Sequence, residues 1–506
     1  VRLSLPTRIS PWGTLLFAVA SFFVQQVQNT SIAFSALYFA FVILSMVAFN
    51  LAGGFSRLAG AFFAFFSLLV CIVGVTWKMV LGEPGQSNLQ APIVTMTCYV
   101  ITAGMFIVIA LLMERIDLRA VSIGSGGKQQ RIDYTVVGLG CVLLSVGINA
   151  AAAIMGAAPG GLLSALHQLD RFIPLGIILG TIGAIDDSHG RRTMNFVNTV
   201  GMLLLFINGL QTFSKQGMFT PMVCWLMGVV YRRFPLRRVH LIAIGLAAFA
   251  SFYILAPLSE ARDLNPGNLS YTEGIAFGVD KIIHFQQVRA HVKAYGDAPP
   301  SHSYYDKAQN ALIGRMTMIG TDDALINYSM TAEPFGMQPV WDDFLNFVPH
   351  VLAPNKAQEL TGNFYAHEIG GMLSDDDFTT GISFSPVAET FRLETWLGMF
   401  LLLPGVLLLM FVSNEFVCGD LRKAPWSLLP ILLYAHTAPE GLLSSQIYMI
   451  GYGNGAFLLS IFFCTRIAPT IGGLLYGGIR QQESLVRSGS ERPTIVSATS
   501  TASAGV

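Results

Sequence analysis

Apolar runs separated by short polar breaks fill the first 258 residues and return after Arg392. Twelve segments stand out, near 11–29, 31–51, 59–82, 90–113, 134–156, 172–187, 195–213, 217–231, 239–258, 393–413, 427–445 and 448–466. About 20 apolar residues at 1.5 Å per residue cross a hydrocarbon core of ~30 Å, so each run predicts a membrane helix. The sixth and eighth are short, as tilted or broken spans are. Between Leu258 and Arg392 the rhythm stops for 133 residues that hold 17 of the 30 acids and five of the nine histidines. Within this insert, Arg262 to Gly278 is polar and turn-rich around Asn265-Pro266-Gly267-Asn268. Apolar positions three to four apart predict helices over Val279–Tyr295 and Tyr304–Met318. From Pro334 onward, Trp341, Phe344 and Phe347 predict a packed loop with short helices, since a disordered linker carries few aromatics.

The fold class expected is therefore an all-α polytopic membrane protein of about twelve transmembrane helices, with a long loop between spans nine and ten. Its parts are 1–258 (spans one to nine), 259–391 (loop or lid), 392–466 (spans ten to twelve) and 467–506 (a polar tail). A composition of 53% hydrophobic and 12% charged residues, with mean hydropathy +0.57, excludes a soluble multidomain protein. Equal numbers of acids and Lys/Arg, 30 each, give no sign of a nucleic-acid partner.

Charge fixes the expected orientation. With the N-terminus inside, 19 Lys/Arg fall on inner segments, and only Lys78, Arg171 and Lys215 on short outer ones. The insert is then extracytoplasmic, and the Ser/Thr-rich tail after Gly478 is cytoplasmic and disordered. Arg2 and Arg8 lead into a first anchor rather than a cleavable signal. All six cysteines lie in spans or on an inner loop, which leaves neither a disulfide-stapled ectodomain nor a metal-type spacing. No internal repeat is visible. A two-half transporter puts its long connection after span six, whereas here it follows span nine.

Three groups of insert and boundary residues are candidates for chemistry. Cations are scarce outside, so Lys215, Arg262, Arg289 and Arg315 are candidates to bind a pyrophosphate and stabilise its leaving charge. The plainer alternative for each is a snorkelling or salt-bridged surface residue. His367 and His350 could serve as base or hydrogen-bond donor, against the alternative of satisfied structural histidines. His436 and Glu440 stand four apart in span eleven, and ionisable residues in spans are functional candidates. Among the acids, Asp375-Asp376-Asp377 reads as a solvated turn, and Asp186-Asp187 flank a helix. Glu389 is better placed, at the membrane surface before span ten.

The order of motifs resembles the oligosaccharide repeat-unit polymerases, the Wzy-type O-antigen polymerase family. The likeness covers residues 195 to 413. It rests on the Ser214-Lys215 turn, the inner loop of Arg232, Arg233, Arg237 and Arg238, and the segment Pro349 to Lys356. The stretch Gly362 to Ala366 and the run Thr380 to Glu389 complete it. The resemblance implies a GT-C-like, inverting, metal-independent glycosyltransferase. It would transfer a growing glycan from undecaprenyl pyrophosphate onto the next lipid-linked repeat unit, at the periplasmic face of a bacterial inner (plasma) membrane with both termini cytoplasmic. His367, Glu389 and His350 are the implied catalytic candidates; Lys215, Arg262, Arg289, Arg315, Lys356 and His436 are the substrate-binding ones. Lys215 and His350 stand where the family has Arg, and lysine lacks the bidentate fork, so Arg262 and Arg315 take the larger share.

No cofactor is implied, and neither a Gly-rich phosphate loop nor an Asp-x-Asp motif is present. The implied partners are a lipid-linked oligosaccharide, membrane lipid, a chain-length regulator and a flippase, with no nucleic acid. An O-antigen ligase would use the same chemistry with another acceptor. A twelve-span transporter or flippase needs polar residues along a path through the bundle, and the spans offer few: Asn50, Asn149, Asn208 and His436. A purely structural scaffold needs none of the candidate sites.

Overall fold

The computed structural model describes residues 3–116, 123, 132–155, 172–211, 214–250, 253–254, 271–296, 305–306, 316–348, 361–378, 380–419, 421 and 424–474. Among them every regular element is a helix and no strand occurs. The bundle helices are α1 (Pro11–Val27), α2 (Ile32–Leu51), α3 (Leu58–Leu81), α4 (Pro92–Arg115), α5 (Tyr134–Met155), α6 (Phe172–Asp187), α7 (Phe196–Gln211), α8 (Lys215–Tyr231) and α9 (Arg238–Ala250). The insert contributes α10 (Tyr271–Ile283), α11 (Phe285–Gly296), α12 (Ile319–Ser329), α13 (Gln338–Leu345) and α14 (Thr361–Ile369). The chain returns to the bundle through α15 (Pro386–Cys418), α16 (Leu428–Glu440) and α17 (Leu443–Leu474). Each of the twelve apolar runs overlaps a bundle helix, but the eleventh runs past the end of α16 into α17, and 251–252 and 255–258 of the ninth lie outside the described residues. Five of these, α2, α3, α4, α15 and α17, are long and apolar enough to cross a membrane, which marks a membrane protein.

Aromatic side chains hold the centre. Phe63 stacks on Phe106 at 4.3 Å, while Phe62 meets Phe411 and Tyr434 edge-on. Small residues set the closest approach: a Cβ on Gly138 of α5 would lie 2.9 Å from the Gly180 nitrogen of α6. Glycine lets these two backbones pack directly, the usual device where lipid supplies no hydrophobic drive.

The insert differs from the expected lid. Helix begins at Tyr271, inside the stretch read as polar turn, and the helix expected over Val279–Tyr295 is two, α10 and α11, separated at His284. Of the helix expected over Tyr304–Met318, residues 304 and 307–315 lie outside the described residues. Tyr305 and Asp306 form a bend. Thr317 donates its hydroxyl to the Val70 carbonyl at 3.2 Å, and the Met318 amide donates to the same oxygen. Val70 lies halfway along α3, in the wider turn Leu68–Ile72 that leaves a carbonyl without its own helix's donor. The insert therefore plunges alongside α3 before α12 climbs back, with Ile319 to Ile326 buried.

The tenth span also starts earlier than read. Helix α15 begins at Pro386, capped by Ser385, and breaks at Glu394 and Thr395. Thr395 sits at φ 46°, a conformation a β-branched residue rarely adopts. The break frees the carbonyls of Arg392 and Leu393, which accept the amides of Phe335 and Gly336 at 3.1 and 2.9 Å. Unpaired carbonyls inside a bundle are costly, so the insert is part of what lets α15 break.

Candidate functional site

Acidic side chains of the insert hold the starts of three bundle helices. Asp322 of α12 accepts the Ser385 amide at 2.8 Å, the Ser385 hydroxyl at 2.5 Å and the Tyr99 hydroxyl at 2.7 Å, at the start of α15. Its neighbour Asp323 accepts the Ala91 amide at 3.1 Å and the Thr95 hydroxyl at 2.7 Å, at the start of α4. Glu389, only 2% exposed, accepts the Leu443 amide at the start of α17 and the Tyr365 hydroxyl at 3.3 Å. A carboxylate satisfies the orphan amides of a helix start and meets the positive end of its dipole. Burial pushes Asp322 up to about 6 despite its hydrogen bonds, and it raises Asp323 as well.

A fourth acid is placed differently. The end of α13 with the residues just after it, the second half of α16 and the first turns of α17 line an open cavity of about 410 Å³. Asp343 projects into its wall and accepts no hydrogen bond from the described residues. Burial, reinforced by Asp342 beside it, pushes its carboxyl up to about 7. Around it stand Asn346, Thr437, Ser444 and Ser445, with an aromatic side made by Phe347, Tyr448 and Tyr452. Tyr448 and Tyr452 stack at 5.6 Å, and Phe347 meets Tyr452 edge-on at 6.3 Å. Phe347 can occupy that place because residue 451 is glycine; a Cβ there would lie 2.5 Å from its ring.

The wall is fixed from behind. Gln446 donates its amide to the carbonyls of Thr437 at 2.7 Å and Gly441 at 3.1 Å, closing the turn between α16 and α17. Glu389 holds Leu443, next to Ser444 and Ser445. The Arg392 guanidinium forks onto Glu368 at 3.1 and 2.9 Å and donates to the Glu333 carbonyl at 2.6 Å. Its face lies 5.3 Å from the rings of both Tyr328 and Phe335. A titratable carboxyl near neutrality, hydroxyls and an aromatic face together suit proton transfer to or from a bound polyol.

The sequence candidates fall into three sets. Glu389 lies behind the cavity wall rather than in it, with both oxygens engaged. His436 is one residue from Thr437 on the wall, its Nδ1 3.1 Å from the Glu440 carboxylate. His367 lies elsewhere on α14: its Nδ1 donates to the Asn363 carbonyl at 2.9 Å, its ring stacks on Phe378, and its buried Nε2 has no partner among the described residues. Arg289 is exposed on α11 and stacks over the Tyr253 ring at 4.3 Å, so that face of its guanidinium is occupied. Lys215 is the first residue of α8, after the capping Ser214. His350, Arg262, Arg315 and Lys356 lie outside the described residues. Asp375 to Asp377 form an exposed turn, as read, with the Thr380 amide on Asp377 at 2.9 Å.

Sequence reasoning missed Asp322, Asp323 and Asp343, and the aromatic pair Tyr448 and Tyr452. Among the described residues no three His, Cys, Asp or Glu side chains converge as a metal site would require. Comparison with family models, curated proteins and solved structures finds no match for the chain.

Proposed function

We propose that this chain is a polysaccharide polymerase of the bacterial inner membrane, joining lipid-linked oligosaccharide repeat units at the outer face. The reading takes twelve spans, both termini inside and the insert outside. The carrying observation is the cavity lined by Asp343 together with Tyr448 and Tyr452. In this topology it opens at the outer ends of α16 and α17, where a polyprenyl pyrophosphate presents its glycan. The acceptor hydroxyl oxygen attacks the anomeric carbon of the donor sugar from the face opposite the pyrophosphate. The bond from that carbon to the phosphate oxygen breaks, the electron pair leaves on the pyrophosphate, and the hydroxyl proton passes to the Asp343 carboxylate. Pyrophosphate is a good leaving group, so positioning and charge neutralisation carry most of the catalysis. The resemblance assigns substrate binding to Lys215, Arg262, Arg289, Arg315, Lys356 and His436, and His436 adjoins the cavity wall at Thr437.

Asp343→Asn tests the assignment, because it keeps the side chain's shape and removes the base. In cells that make the polymer, the variant should accumulate at normal level and leave single capped repeats on the carrier or surface. Polymer of ordinary length from Asp343→Asn would overturn the assignment. A flippase reading draws on the break in α15, since transporters place broken helices at substrate sites. Lipid-linked repeats reaching the outer face at the normal rate in cells lacking the chain would remove that alternative.

A further inference from the structure

The cavity has a charge character that the glycosyl-transfer reading does not itself require. Tyr448 and Tyr452, with planes 25° apart, present an apolar face of the kind that packs against the C–H face of a pyranose ring. Asn346, Thr437, Ser444 and Ser445 supply polar groups around that face. Among the described residues, every charged group at or beside the lining is acidic or tied to an acid. Asp343 lines the cavity, Asp342 precedes it, and Glu389 stands behind the wall, where it holds the Leu443 amide. His436 is held by Glu440, and among the described residues no lysine or arginine lines the wall.

We infer that this cavity admits an uncharged pyranose and rejects one bearing a carboxylate. The inference rests on the proposed function only for the role of the bound sugar, as the acceptor end of a repeat unit. A hexuronate would bring its carboxylate beside Asp343 and Asp342, where no lysine or arginine of the described lining stands to receive it. At an effective dielectric near 20 and separations of roughly 8 Å, one such repulsion weakens binding by about tenfold to thirtyfold. The hydroxyl contacts and the ring stacking are common to both sugars, so discrimination comes from charge alone.

The test is equilibrium binding to the purified full chain in detergent at ~pH 8, where carboxyls are ionised. Methyl glucoside and methyl glucuronide are the probes, since neither can donate a glycosyl group to a pyrophosphate-linked acceptor. Expected is a preference of about tenfold or more for the glucoside. That preference should shrink in Asp343→Asn, and both sugars should be lost in Tyr452→Ala. Equal binding of the two glycosides by the unaltered chain overturns the inference, as does a preference unchanged in Asp343→Asn. Because no transfer is measured, charge selection can stand where elongation fails, and elongation can stand where selection fails.

Discussion

Replacing Glu389 separates a residue that performs chemistry from one that holds the site's wall. In Glu389→Ala the Leu443 amide and the Tyr365 hydroxyl both lose their acceptor in a buried place. Each orphaned group costs about 1–3 kcal/mol, so the loss is roughly 4 kcal/mol in all. For a large chain, at about 2 °C per kcal/mol, the melting temperature should fall by ~8 °C. Glu389→Gln should behave differently. Its amide oxygen still accepts the Leu443 N–H, and its NH₂ can donate to the Tyr365 oxygen, so the cost should be about 1 kcal/mol. Melting of the purified protein, followed by fluorescence-detected size exclusion, reads stability, and polymer length on a gel reads function. Elongation should survive in Glu389→Gln and fail in Glu389→Ala only as far as the fold loosens. A Glu389→Gln protein that melts normally yet makes no polymer would refute the positional role and return Glu389 to the chemistry.

Other outcomes follow from the same contacts. In the proposed reaction Asp343 must be ionised to take a proton, and its carboxyl is raised to about 7, so elongation should climb as pH rises through ~7, measured as initial rate in membranes. Asp322 works in the opposite sense on stability. Its folded value of about 6 lies above the ordinary 3.8, so its favourable contribution is complete below 3.8 and lost by about pH 6. That amounts to about 3 kcal/mol, and Asp322→Asn should flatten the slope in melts taken across this window. Arg392→Ala leaves the partly buried Glu368 carboxylate without its fork and the Glu333 carbonyl without its donor, and should destabilise by about 2–3 kcal/mol in the same melts. Gly451→Ala drives a methyl group into Phe347, and should reduce sugar binding in titrations while shifting melting by only about 1–3 kcal/mol.

The helices were legible because apolar runs bounded by polar breaks leave one economical solution in lipid. Each run overlaps a helix, though the eleventh crosses the break between α16 and α17, and the early start of α15 was hidden because its opening residues include Glu389 and Thr390. The insert was less readable. Its acids suggested water on all sides, yet Thr321-Asp322-Asp323-Ala324-Leu325-Ile326 is buried. A signal was present, since two acids between Met318-Ile319 and Ala324-Leu325-Ile326 sit poorly on a solvated face. What those acids bind is not local: their partners stand at residues 91, 95, 99 and 385. Asp343 was masked in another way. Its neighbours Trp341 and Phe344 drew attention to packing, and its cavity is completed by residues about a hundred positions onward.

The grip of α12 on the start of α4 also sets an order of events during synthesis. The amide of Ala91 waits for a carboxylate 232 residues downstream. At roughly 5–20 residues per second, that helix end stays uncapped for about 10–50 s while the ribosome works through the intervening helices. The Ser385 amide, 63 residues after Asp322, and the Leu443 amide, 54 after Glu389, are reached much sooner. The start of α4 would thus be held loosely until the insert has been made and folded. A ribosome stalled before residue 322 should leave an early bundle that proteases nick near Gln90, and release past residue 329 should close that site.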